Sequence, residues 1–447
     1  MAGSLLDTQL AKSPRVAQIL EHLRTPLYRN GYALIVSTGI TSLLGLLYWA
    51  VAARLYTPEN VGLNSSAISI MIFLSGIAQI NLQETMIRFI PQSGTRTLRL
   101  IASAYGMVIL LSAIVALVFC AGIPLWAPSL SFLVASPALI GWFTAALILW
   151  GVFVIEDSVL IGLRQTLWVP LENAVFSVLK IGLLVLIAGS FTETGIFISW
   201  TVSVLVVIIP INLLIFKRLI PRHIAQTAPR PQQETIPLRQ LWRYIAGNYA
   251  AALLSSMSSA LLPIVITQTA GAEANAHFYL AWIIAGALQI VTANMATSLT
   301  VEAASDQANV HLYQRRALIG IARLVIPMTV AVFLSAPLIL DLLGESYADE
   351  GSLLLRLLAL AALPNIYNMV RAALARIRGS MGTVIGIYGS NAIMVLGLSI
   401  LLMPHIGITG VGLAWMISQT LIAAVLLFQS VFKRRVIRAS NPKERLS

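Results

Sequence analysis

The sequence predicts an all-α membrane protein: twelve transmembrane helices in two parallel six-helix lobes, with both termini cytoplasmic. Three observations carry that prediction. The 447 residues are 58% hydrophobic and only 10% charged, where a soluble domain carries about 25% charged residues. Twelve apolar runs are each long enough to cross a bilayer, which takes about 20 residues. The first six runs recur in the last six at an offset near 215 residues.

A soluble chain with this mean hydropathy, +0.86, would expose apolar surface everywhere and aggregate. Disorder, a coiled coil, a secreted disulfide scaffold and a soluble enzyme are excluded. The single cysteine, Cys120, sits inside an apolar run and reads as a small buried residue. The five histidines lie far apart without ligand spacing, so neither metal nor cofactor is expected. Residues 1–29 are polar and charged and lack a signal-peptide pattern, so the first apolar run is itself expected to span.

In chain order the expected spans are 33–53, 61–80, 101–125, 132–155, 169–188 and 195–216, then 245–265, 278–299, 317–340, 353–374, 383–403 and 410–431. Several hold Ser, Thr, Asn or Gly, which is tolerated where helices face each other or water.

The charges orient the spans. Of the 29 basic residues, 26 fall on one side: the N-terminal segment, the loops after spans 2, 4 and 6, the loop into span 9, the inner end of span 10 and the tail. Only Arg54, Lys180 and Arg356 remain. The opposite loops carry Glu59, Glu193, Glu273, Asp341, Glu345, Asp349 and Glu350. The positive-inside rule then puts both termini in the cytoplasm. The net charge of +12 is thus a topology signal and a contact for anionic headgroups, not a nucleic-acid patch.

The expected organisation is a cytoplasmic N-terminal segment 1–29, a lobe 30–218, a linker 219–243, a second lobe 244–434 and a basic tail 435–447. The outer loops are too short for a folded domain. No GxSxG, HExxH, Walker A or DxD pattern is present, so an enzyme is not expected.

The repeat is visible residue by residue. Thr194-Gly195-Ile196-Phe197-Ile198-Ser199-Trp200 opens span 6, and Thr409-Gly410-Val411-Gly412-Leu413-Ala414-Trp415 opens span 12. Phe216-Lys217-Arg218 matches Phe432-Lys433-Arg434; Gly182 matches Gly397; Glu59 matches Glu273. Six spans per repeat is an even number, so the halves enter the membrane in the same sense, about an axis along its normal. This is the architecture of a transporter with a site between two lobes.

Local patterns add a resemblance. Span 1 runs through Ala52-Ala53-Arg54-Leu55-Tyr56-Thr57-Pro58-Glu59-Asn60-Val61-Gly62 into span 2, and Arg88-Phe89-Ile90-Pro91 follows span 2. Leu343-Gly344-Glu345-Ser346-Tyr347-Ala348-Asp349 precedes span 10, and Gly407-Ile408-Thr409-Gly410 precedes span 12. In order and spacing these resemble the polysaccharide-export and O-antigen flippase branch of the multidrug/oligosaccharidyl-lipid/polysaccharide (MOP) exporter superfamily, over spans 1 to 12. The resemblance implies alternating access in a multi-pass protein of the cytoplasmic membrane. It implies flipping of a polyprenyl-(pyro)phosphate-linked oligosaccharide for surface polysaccharide assembly. The implied partners are that lipid-linked glycan, membrane lipids, and glycan polymerase or glycosyltransferase proteins. Two departures bear on this. The chain lacks the two extra helices of the fourteen-helix lipid II flippases. It also has no Asp or Glu near the centres of spans 1, 2, 3 and 5; Glu156 and Asp157 lie at the inner end of span 4, and Glu172 at that of span 5. The alternative of the same fold is an ion-coupled multidrug exporter of organic cations. Cavity charge separates the two.

Moving a diphosphate through hydrocarbon needs compensating cations, and a charge within a span is costly enough to suggest function. Lys180 is mid-span in span 5, where its repeat mate is Val395; it lines a cavity, or it snorkels or pairs with a carbonyl. Arg356 receives the diphosphate near the outer end of span 10, or anchors the interface. Asn365, Tyr367 and Asn368 in span 10, with Gln289 and Asn294 in span 8, offer hydrogen bonds to sugar hydroxyls or between helices. Asn248 and Tyr249, entering span 7, belong to the same group. The repeat also pairs opposite charges: Arg88 with Glu302, and Glu156 with Arg371. These pairs latch a cytoplasmic gate, or are four unrelated headgroup-level charges. Prolines 263, 327, 337 and 364 interrupt helices in spans 7, 9 and 10.

Overall fold

The computed structural model describes residues 26–226, 238–305 and 310–440, with side chains in 41–226, 249–296 and 314–432. Long helices dominate. We number them α1 Pro26–Leu55, α2 Pro58–Gln79, α3 Thr97–Trp126, α4 Pro137–Gly162, α5 Trp168–Ile187 and α6 Gly195–Leu214. They continue as α7 Leu238–Thr269, α8 Ala272–Ser305, α9 Val310–Asp341, α10 Glu345–Ile377, α11 Met381–Ile406 and α12 Thr409–Ser440. Eleven helices are long and apolar enough to cross a membrane, and an apolar helical stretch Thr41–Leu55 within α1 precedes them. This is a multi-pass membrane protein.

Local chemistry sets the helix starts. Before α2, the Thr57 side chain accepts from the Asn60 amide, with Pro58 in the first turn. Before α4, Ser136 does the same for Leu139, with Pro137 following. A hydroxyl cap plus proline satisfies a free amide and needs no hydrogen bond from the proline. At the other end of α2, Ile80 and Asn81 both take left-handed backbone angles, φ 41° and 58°. That stops the helix and turns the chain into a short amphipathic helix, Leu82–Ser93.

One boundary differs from expectation. Span 6 was expected to end at Phe216, ahead of Lys217 and Arg218. Instead α6 passes through one π-helical turn, Ile215–Leu219, and continues as Ile220–Gln226. Ile215, Leu219 and Ile220 are buried, so an apolar stripe holds the helix to the bundle while the basic side chains point away.

The packing repeats with the sequence. In the first half α3 and α2 pack on α4, α4 on α6, α1 on α5 and α5 on α6. In the second half α9 and α8 pack on α10, α10 on α12, α7 on α11 and α11 on α12. The halves meet where α2 crosses α7 and α8. Leu110 and Leu117 on α3, Leu334 and Leu338 on α9, and Phe428 on α12 are exposed, as lipid-facing side chains are.

Candidate functional site

Three features bear on function, and the first is a closed end. Contacts between the halves concentrate at the end carrying the acidic loops. Asn275 Nδ2, at the start of α8, donates to Gly62 O at 2.8 Å and to Ser65 Oγ and Ser66 Oγ at 3.0 Å. Ser66 Oγ meets Thr267 Oγ1 at 2.7 Å. Gln268 Nε2 donates to Trp126 O at 2.7 Å, and Arg54 Nε to Leu342 O at 3.1 Å. The helices touch backbone to backbone: a Cβ on Gly62 would lie 1.7 Å from Ala272 O. Only glycine permits that approach.

The second feature is a cavity of about 120 Å³ inside the second bundle. It is lined by Ser255 and Ser259 from α7, Trp282 and Gln289 from α8, Asn365 and Asn368 from α10, and Tyr388, Asn391, Trp415 and Gln419 from α11 and α12. Five amides and three aromatic rings converge from five helices, and among the described residues no acidic or basic side chain lines the cavity. The volume is well below the roughly 300–1,000 Å³ of drug-sized sites, so it suits one ring rather than a whole oligosaccharide. A hydrogen-bond chain stiffens its wall. Ser418 Oγ and Gln419 Nε2 each donate to Asn391 Oδ1 at 3.0 Å, and Asn368 Nδ2 donates to Gln419 Oε1 at 2.8 Å. Asn368 Oδ1 is buried without a partner. Asn391→Leu leaves the Gln419 amide and the Ser418 hydroxyl without their acceptor. The expected cost is about 1–3 kcal/mol, read as a lower melting midpoint of the detergent-solubilised protein. An unchanged midpoint would show that the chain does not brace the cavity.

The third feature is Lys180. It is 4% exposed, and its Nζ lies 4.1 Å from the Trp200 ring centroid, 4.7 Å from that of Phe176 and 4.8 Å from that of Tyr48. No carboxylate pairs with it among the described residues. Tyr48 is fixed by donation to Ile196 O at 2.8 Å, and Trp49 and Trp150 extend the cluster. Cation–π attraction therefore holds the ammonium where a snorkelling lysine would reach the surface.

The other predicted residues divide. Gln289, Asn365 and Asn368 line the cavity. Tyr367 does not; its hydroxyl meets Ser430 Oγ at 3.0 Å. Asn294 is exposed and lies outside the lining. Arg356 turns to α9, donating to Phe333 O at 3.1 Å with its guanidinium over the Phe333 ring. Tyr249 donates to Ile77 O at 2.6 Å. Arg88 is exposed and lies over the neighbouring Phe89 ring. The side chains of Asn248 and Glu302 fall outside the described residues, and the Arg88–Glu302 pair with them. Glu156 is fully buried and neither oxygen is hydrogen-bonded. Arg371 is half-buried with its Nε unpartnered. Glu156 and Arg371 are thus not paired in this conformation: Glu156 points into the first bundle rather than toward the headgroups.

Sequence reasoning missed Ser255, Ser259, Trp282, Tyr388, Asn391, Trp415 and Gln419. Asn391 and Gln419 carried the signal that singled out Asn365, an amide within an apolar run. It also missed Gly62, Asn275 and Thr267, whose only mark was small or polar character near span ends.

No protein-family model matches the chain, and no curated protein matches it by sequence. Solved structures do match its fold. It is similar to a multidrug resistance MATE family transporter of the MOP superfamily in an inward-facing conformation: TM-score 0.68, 16% identity, over 91% of this chain and 99% of that one. It is similar to the lipid II flippase MurJ in an inward closed conformation: TM-score 0.69, 13% identity, over 88% and 86%. A MATE structure in complex with MaL6 gives 0.59, 14%, 92% and 96%.

Proposed function

We propose that this chain, which has the fold of MATE transporters and of the MurJ flippase, moves a polyprenyl-(pyro)phosphate-linked oligosaccharide across the cytoplasmic membrane. The direction is from the cytoplasmic to the outer leaflet, for surface polysaccharide assembly. The reading takes all twelve helices as spans, with the two six-helix halves as lobes and the basic end as cytoplasmic. The observation that carries it is the chemistry of the cavity. Amides and aromatic rings without a charge suit a neutral, hydroxyl-rich ring, whose hydroxyls need donors and acceptors and whose faces stack on Trp and Tyr. A cavity for organic cations would call for an acid. Lys180 supplies the cation for the diphosphate in a state that uncovers it, since a charge at this depth is costly without a role. Glycan polymerase or glycosyltransferase proteins are the partners this reading implies.

The test is the lipid-linked oligosaccharide pool in cells depleted of the protein, restored with wild type or with Asn365→Leu. The glycolipid is expected to accumulate on depletion, to clear with wild type, and to clear at least several-fold more slowly with the variant. A pool unchanged by depletion, with new sensitivity to cationic compounds, would overturn the reading in favour of the organic-cation exporter.

A further inference from the structure

The five amides of the neutral cavity are not equivalent. Three belong to its wall. Asn391 Oδ1 accepts from Ser418 and from Gln419, and Gln419 Oε1 accepts from Asn368. The Asn368 amide nitrogen also reaches Gln419 O at 2.9 Å. Asn365 and Gln289 differ. Both line the cavity, and neither side chain makes a hydrogen bond among the described residues. Asn365 is only 8% exposed, and an amide so deeply buried is costly to leave unpaired.

The two amides stand on facing helices, since α8 packs on α10. Each offers both a donor and an acceptor. A group between them serves both helices when it donates on one side and accepts on the other. A planar trans amide does this, because its N–H and C=O point in opposite directions.

The lining also has an apolar side. Ile387 of α11 and Ile422 of α12 are each 7% exposed and share one buried cluster. Met369 of α10 lines the cavity with them. The kinds of side chain follow one order along the helices. From the acidic end, α12 presents Trp415, Gln419 and Ile422 on one face over about 10 Å of helix rise. On α8, Trp282 precedes Gln289; on α10, Asn365 precedes Met369; on the antiparallel α11, Asn391 lies nearer the acidic end than Ile387. The cavity therefore holds tryptophans at one end, where Trp282 and Trp415 meet at 4.6 Å between centroids. Amides follow, and aliphatic carbon closes the other end. A hexose made of hydroxyls alone uses the first two zones and sets polar atoms against the third. An acetamido substituent uses all three.

Resting on the sugar reading of this same cavity, we propose that it selects an N-acetylated amino sugar. The acetamido group bridges Gln289 and Asn365, its methyl sits among Met369, Ile387 and Ile422, and the ring lies against Trp282 and Trp415.

The full-length protein, in a detergent without a sugar headgroup, is titrated with N-acetylglucosamine and separately with glucose. Tryptophan fluorescence gives the affinities, and saturation-transfer NMR shows which sugar protons touch the protein. Wild type is expected to bind N-acetylglucosamine about tenfold more tightly than glucose, with the strongest transfer to the acetyl methyl. Gln289→Met and Ile422→Asn are each expected to remove most of that preference by weakening N-acetylglucosamine. A preference that survives both variants would overturn the proposal. Equal affinities in wild type would overturn it while leaving the sugar reading in place; binding of neither sugar would overturn both. Should the variants not fold, the wild-type affinity ratio and methyl signal decide.

Discussion

Gly62→Leu is expected to prevent closure of the acidic end. The glycine sits where α2 crosses α8, and even a methyl carbon there would lie 1.7 Å from Ala272 O. The obstacle is backbone, which cannot rotate aside as a side chain can. Forcing extra carbon into a packed contact costs about 1–3 kcal/mol. In an alternating-access cycle the contact breaks when this end opens, so that cost falls on the closed state alone. The populations should therefore shift about 5- to 150-fold toward the open form. The measurement is labelling of Ser65→Cys by a membrane-impermeant maleimide, with Cys120 replaced by alanine. Ser65 is fully buried in this closed arrangement, so labelling should be slow in that background and much faster once Gly62→Leu is added. Equal rates would mean that the Gly62–Ala272 contact does not control access. Transport should fall with the shift, since a cycle that cannot close cannot turn over.

The second large effect is expected at Lys180, where function and stability should part. An ammonium buried among Tyr48, Phe176 and Trp200 gains about 0.5–2 kcal/mol from cation–π attraction. It forgoes hydration whose loss amounts to several kcal/mol per ion even after relaxation. The balance is unfavourable, so Lys180→Met, similar in length and apolar, should melt at the same temperature or higher. On the proposed function, transport of the lipid-linked oligosaccharide should fall at least tenfold in the same variant. Lys180→Arg should not rescue it, because a planar guanidinium does not fit a site shaped for a point charge. A variant that is less stable and still transports would show that the lysine serves packing alone.

Much of the helical plan was legible because the bilayer imposes a length on apolar runs, and a run is a local pattern. The packing order follows the repeat for the same reason: Gly182 and Gly397, or Trp200 and Trp415, mark equivalent places on equivalent helices. Lys180 was legible as an anomaly of depth. Its rings were not, since Tyr48 comes from α1, far away in sequence, and Trp200 from the following helix α6, and only tertiary packing brings them together. Asn365 and Asn368 were found by residue type, yet Tyr367 between them faces Ser430; consecutive helical residues point in directions about 100° apart, and the sequence does not say which direction is inward. Glu156 shows the same limit more sharply. Its position at a span end suggested a headgroup-level charge, whereas the helix turns it into the bundle beside Glu172.

The crossing near Gly62 has a mechanical consequence. It lies at the start of α2, which is 22 residues long and so about 33 Å from end to end. Once the Tyr249–Ile77 hydrogen bond near its other end breaks, the crossing is a fulcrum and the helix a lever arm. From Gly62 to Gln79 the arm is about 26 Å, so a tilt of about 20° around the crossing sweeps the far extremity through about 9 Å. Backbone contact keeps that fulcrum thin: a bulkier residue would move the point of rotation outward and blunt the leverage. A single missing side chain thus sets how far one half of the molecule swings for each degree it turns.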